Sequence, residues 1–130
     1  MLIDTSGLLT LLHRGESQHQ AAVAVYRAAT LRLTHSYVLA EFIPLAYVRG
    51  LPRDKVLEFS KRVLVDSTVT MVWVDQTLHQ QALDLLVARP DKSYSLCDAV
   101  SFIVMRQRGI IDALTIDRHF EQEGFRRLLS

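Results

Sequence analysis

Lysine is scarce in this chain: of the 15 cationic residues among 130, only Lys55, Lys61 and Lys92 are lysines. Cysteine is scarcer still. The lone Cys97 excludes an internal disulfide and any cysteine-built metal site, and it makes a reducing, cytoplasmic setting the expectation. With 3 prolines and 5 glycines the chain has no low-complexity linker and no repeat. No apolar run approaches the roughly twenty residues that cross a bilayer, so no membrane role is expected. Charge of one sign is missing too. Lys+Arg 15 against Asp+Glu 14 leaves a formal charge of +1, so any polyanion must be met by a local patch rather than an overall basic field. Arginine, the dominant cation, suits bidentate contact with phosphate.

What the chain does have is apolar residues, 49% of the total, at a length that suits one domain with a real core. They fall in an alternation of short strand-like and longer helix-like patterns. "MLID" reads as a strand, "TSGLLTLL" as a helix ending near His13-Arg14-Gly15, and "HQAAVAVYRAA" as a second helix. "LRLTHS" gives another strand and a polar stop before the helix "YVLAEFIPLAYVRG", in which Pro44 is expected to produce a kink and which Gly50 closes. Pro52 opens a helix over "RDKVLEFSKRVLV". "TVTMVWV" is the clearest strand, and Asp75 is placed to cap the helix "QTLHQQALDLLVA". The loop "RPDKSY" leads to the most apolar helix, from Ser95 to Gly109, and "IIDALTID" and "FRRLL" complete a count of five strands. Such alternation predicts a mostly parallel sheet with helices on both faces.

Sheets of that kind carry their sites at the carboxyl ends of the strands, where Asp4 and Asp117 fall. Glu41 is the only charged residue between Arg32 and Arg49, and Asp98 the only one between Lys92 and Arg106, so both are expected in largely buried surroundings. Each acid has a plain structural reading. Asp4 and Asp117 can cap helices, "SLCD" fits a capping box from Ser95 to Asp98, and Glu41 can face solvent at a helix edge. Together they are harder to explain away. Two carboxylates about 4 Å apart repel by roughly 4 kcal/mol at an effective dielectric of 20, and a divalent cation would relieve that conflict. An all-oxygen donor set suits Mg²⁺ or Mn²⁺ rather than zinc.

Four segments, "IDTSGLL", "AEF", "DKSYSLCDAVSF" and "ALTIDRHF", stand in an order and at separations that resemble the PIN-domain ribonucleases, especially the toxins of VapBC-type toxin–antitoxin pairs. The resemblance spans essentially the whole chain. It implies a three-layer α/β/α sandwich with a parallel sheet of about five strands, and a metal-dependent endoribonuclease. The implied carboxylate cluster is Asp4, Glu41, Asp98 and Asp117, holding Mg²⁺ or Mn²⁺, with hydroxyl support from Thr5, Ser6 and Thr115. Cys97 departs from the threonine or serine that such proteins often carry before the aspartate. Asp91 fits the motif as an outer or turn-forming residue, and Lys92, Arg14 and Arg118 are the cations placed to meet phosphate. His119 is read as structural or peripheral.

The implied partners are an RNA substrate, a small antitoxin whose basic tail fills the acidic groove, and a second copy of the chain in a homodimer. "AAVAVYRAA" and "YVLAEFIPLAYV" are the candidate docking faces, with core burial as their default reading. Three other readings stand beside this one. A receiver-type phosphoacceptor would need adjacent acids after the first strand, where Thr5 follows Asp4, and a lysine at the last. A HAD-like phosphatase would need an acid at the position of Ser6. A catalytically idle PIN fold that binds RNA or protein differs only in activity.

Overall fold

The computed structural model describes residues 1–130. Twelve elements follow one another: β1 (Leu2–Ile3), α1 (Thr5–Leu12), α2 (His19–Ala28), β2 (Leu33–His35), α3 (Ser36–Val48), α4 (Arg53–Val65), β3 (Thr70–Val72), α5 (Gln76–Ala88), α6 (Leu96–Arg108), β4 (Asp112–Leu114), α7 (His119–Gln122) and β5 (Arg126–Arg127). The five strands pair in the order β3-β2-β1-β4-β5, every pair parallel.

Strand alternation sorts the core into two halves. Leu2 lies beside Leu33 and Ala113 and turns with them into a cluster with Leu78, Leu85, Phe102 and Phe120, under α5, α6 and α7. Ile3 and Leu114, one residue on, turn to the opposite face and meet Leu8, Val38, Phe42 and Val56 from α1, α3 and α4. Helices therefore cover both faces, and the result is the α/β/α sandwich expected. Phe42, Phe102 and Phe120 are fully buried, each such side chain contributing about 1.5–3 kcal/mol by leaving water.

Gly7 explains how closely α1 approaches the sheet. A Cβ there would lie 2.1 Å from the Leu114 carbonyl oxygen, so only glycine lets the helix start directly over β4.

Two expectations need correction. The strands are shorter than their apolar runs. "TVTMVWV" pairs only over Thr70–Val72, because β3 is the sheet edge and Trp73 beyond it is 66% exposed. The polar stop within "LRLTHS" is His35, which caps α3, its Nδ1 accepting the Val38 N–H at 3.3 Å. The ring is fully buried and its Nε2 meets Ser101 Oγ at 2.8 Å, so burial holds its pKa down to about 4 and the ring stays neutral. Finally, α3 is one continuous helix through Pro44, which lies on its exposed side, where the Ala40 carbonyl that loses its partner faces water.

Candidate active site

The strand order reverses direction between β1 and β4, and the carboxyl ends of these two strands open the crevice where ligands collect in such sheets. Asp4 follows β1, and Thr115 and Asp117 follow β4. The amino end of α6 brings Asp98 beside Asp117, and Glu41 lies on α3, near enough for its charge to act on Asp4.

Asp4 occupies the backbone position of an N-cap for α1, but its side chain caps nothing. It turns away from the helix, and Oδ2 accepts the Thr115 hydroxyl at 2.9 Å. The capping reading fails for this residue. Only 4% exposed, its carboxyl is pushed up to about 7, chiefly by burial, with the Thr5 N–H and the Thr115 hydroxyl opposing and the charges of Asp98 and Glu41 adding. Thr115 Oγ1 is the hub of this corner. Having given its proton to Asp4, it accepts the Asp117 N–H at 3.0 Å and lies 3.1 Å from Ser6 Oγ, which accepts the Ile116 N–H at 3.1 Å. Of the three hydroxyls expected to support the cluster, Thr115 bonds the Asp4 carboxylate and Ser6 bonds Thr115. Thr5 differs: its Oγ1 is buried with no partner.

Asp98 keeps its capping box. Ser95 Oγ accepts the Asp98 N–H and Asp98 Oδ2 accepts the Ser95 N–H, both at 3.0 Å. Burial raises the Asp98 carboxyl and the nearby Asp117 charge raises it further, while the Ser95 N–H and His119 pull it back. Asp117 Oδ1 accepts the His119 N–H at 2.9 Å.

His119 is not peripheral. Its Nδ1 lies 3.0 Å from Asp98 Oδ2 and 3.4 Å from Asp117 Oδ1, and ligand-capable atoms of these three residues all fall within 4.8 Å of one another. A signal for this was present in "DRHF". An aspartate that accepts the N–H two residues on holds that residue beside its own carboxylate.

A continuous polar path thus runs from Asp4 through Thr115, Asp117 and His119 to Asp98. Each of its three acids has one oxygen engaged by protein donors, Oδ2 of Asp4, Oδ2 of Asp98 and Oδ1 of Asp117. The second oxygens of Asp98 and Asp117 carry no protein donor. Ligand-capable atoms of Asp98, Asp117 and His119 lie close enough together to share one ion, and Asp4 is joined to them through the Thr115 hydroxyl.

Glu41 departs from expectation. It is exposed and makes no side-chain hydrogen bond or ion pair, because it falls on the solvent side of α3 with Ala40 and Pro44. Its charge is nonetheless felt at Asp4 and at the buried Cys97, whose thiol is driven up by burial first and by Glu41 and Asp4 next. It therefore stands at the open rim. Asp91 and Lys92 are exposed and paired with each other at 3.8 Å, outside the cluster. Arg118 is exposed without an ion pair. The nearby loop residue Ser93 does reach in, with Oγ 3.2 Å from His119 Nε2.

A parallel α/β/α sandwich with converging acids at its switch point defines a class of acid-site proteins, and sequence comparison says which. The PIN domain model matches residues 1–125, and this chain belongs to the PIN-domain family. It is 33% identical over 127 residues to the 23S rRNA-specific endonuclease VapC20 of two Mycobacterium tuberculosis strains, CDC 1551/Oshkosh and H37Rv, covering 96% of this chain and 95% of each relative. The crystal structure of M. tuberculosis VapC20, described as a sarcin–ricin loop cleaving toxin, superposes with a TM-score of 0.88 at 28% identity, over 96% of this chain and 95% of that one.

Proposed function

We propose that this chain is a metal-dependent endoribonuclease toxin whose substrate is a structured loop of ribosomal RNA, of the kind named for its mycobacterial relatives. The observation that carries the reading is the convergence of acids at the switch point: Asp98 and Asp117 each keep one oxygen clear of protein donors within one cluster, and Asp4 is tied to it through Thr115. In this reading those three residues hold Mg²⁺ or Mn²⁺. A bound ion of this type supplies Lewis acidity toward the phosphodiester and offsets the mutual repulsion of the acids. Thr115 and Ser6 keep Asp4 aimed, and the Ser95 N–H fixes Asp98. Glu41, exposed at the rim and sensed by Asp4, orients a water for in-line attack and accepts its proton. Arg118, Arg14 and Lys92, all basic and near the ends of these elements, meet the flanking phosphates.

A small antitoxin fits the same cleft. Carboxylate oxygens without donors are a site for a guanidinium, so an arginine-bearing tail would compete with the metal. A second copy is proposed along α3, which leaves Ala40, Pro44, Tyr47 and Val48 exposed, Val48 to 82%. No helix is long and apolar enough to cross a membrane.

The test is incubation of the purified protein with intact ribosomes and with naked 23S rRNA, in Mn²⁺, in Mg²⁺ and in EDTA, beside Asp98→Asn. One discrete cut that needs metal and disappears in the variant is the expected result. Cleavage that survives in both EDTA and the variant would defeat the proposal.

A further inference from the structure

We infer that His119, oriented by Ser93, is a positioning residue that sets the plane of the Asp98 carboxylate. The inference deepens the proposed function and rests on its reading of Asp98 as a ligand.

A capping box alone does not set that plane. The terminal torsion of an aspartate is broad, and a single N–H can be satisfied over a wide range of carboxylate rotation. Asp98 Oδ2 receives a second donor, the His119 ring, at the same 3.0 Å distance as the Ser95 N–H. Two donors from different elements, one on the approach to α6 and one on α7, leave a single orientation that satisfies both. In that orientation Oδ1 is the oxygen left open.

The ring is itself held at both nitrogens and along one edge. A carboxylate only accepts, so Nδ1 carries the proton facing Asp98. In the neutral ring Nε2 is then an acceptor, and Ser93 Oγ, 3.2 Å away, donates to it. The Tyr94 ring stands edge-on to the imidazole with centroids 5.2 Å apart, and Tyr94 is anchored by donating its hydroxyl to Glu123 at 3.1 Å. The backbone N–H of the same histidine holds Asp117 at 2.9 Å. One residue thus clamps two acids, by its ring and by its backbone.

Asparagine is the informative substitute, because its amide nitrogen sits at the same bond count from Cβ as Nδ1. Glutamine carries its nitrogen one bond further, near the place of Nε2. Calorimetric titration of metal-free protein with Mn²⁺ needs no RNA and reads the clamp directly. Loss of an outer partner of a metal ligand typically weakens affinity by about 10–100-fold. His119→Ala and His119→Gln are expected to fall in that range, Ser93→Ala to fall by less, and His119→Asn to recover most of the affinity.

Unchanged affinity in His119→Ala, or His119→Asn as weak as His119→Ala, would overturn the inference. Melting in EDTA separates a folding defect from a site defect, since the clamp predicts a small stability change beside the large loss of affinity. A second readout is independent of metal. Nitrogen-15 spectra of the imidazole should report the Nδ1-protonated tautomer, and the Nε2-protonated form would overturn the inference even where Mn²⁺ binds. Wild-type protein that binds no Mn²⁺ while showing the expected tautomer would instead defeat the metal-site reading on which the inference rests.

Discussion

At the scale of single residues, two buried groups give the fold opposite responses to pH. Asp4 is raised to about 7 by burial from an ordinary 3.8, so it is protonated in the folded, metal-free protein while ionised in the unfolded chain. Its contribution to stability is complete below about pH 3.8 and is lost as pH rises through 7. His35 is lowered to about 4 from 6.5, so its contribution is present above 6.5 and lost as pH falls toward 4. The two slopes oppose each other between these limits. Asp4→Asn keeps an acceptor for Thr115 and removes only the first slope. In EDTA, the stability of Asp4→Asn relative to wild type is therefore expected to climb by up to about 1.4 kcal/mol per pH unit between pH 4 and 7, then level off. Urea unfolding at half-unit steps checks it. A difference that stays constant with pH would mean that Asp4 is ionised in the fold.

At the scale of elements, Glu123 joins three helices. It follows α7 and accepts from Arg89 at the end of α5, from Arg106 on α6, and from Tyr94 ahead of α6. Its side chain is 4% exposed, and although burial pushes its carboxyl up, the two arginines and the tyrosine more than offset this and hold it below the usual range. Removing it leaves two guanidinium groups and a phenol facing an empty place. Glu123→Ala is expected to lose about 1–2 kcal/mol, less than for a fully buried pair because Arg89 and Arg106 stay 35% and 43% exposed, as measured by urea denaturation at pH 7. A loss under about 0.5 kcal/mol would reduce the contact to a surface pair.

How much of this was legible depends on the kind of interaction. Hydrophobic period gave all five strands, their parallel pairing and every helix longer than one turn, because those patterns are local. The Ser95–Asp98 box was readable for the same reason. Strand ends were not, since β1, β2 and β4 stop where Asp4, His35 and Thr115 turn toward partners more than thirty residues away in sequence. His35 as a cap, Glu41 on the open side of α3 and His119 inside the cluster each depend on which face of an element meets which neighbour. Composition carries no record of that.

At the scale of the whole molecule, the candidate site lies where the two halves of the core meet. Asp98 rides on α6, packed with the half beneath α5 and α7, while Asp4 and Asp117 flank strand ends whose Ile3 and Leu114 face the other half. An ion shared by these acids would staple α6 to β1 and β4 and bind only the folded chain. Stability should then rise with ion concentration as a linkage, by about 1.4 kcal/mol for each tenfold increase above the dissociation constant and about 2.7 kcal/mol at a hundredfold excess. Thermal melts of wild type across a Mn²⁺ series should climb without a plateau in that range, while Asp98→Asn and Asp117→Asn stay near their EDTA values. The same variants, relieved of repulsion, should melt no lower than wild type in EDTA. If Asp98→Asn followed the wild-type curve with Mn²⁺, the ion would be binding elsewhere on the surface, and the converging carboxylates would have to be explained as the capping and hydrogen-bonding groups of a fold that merely tolerates their charge.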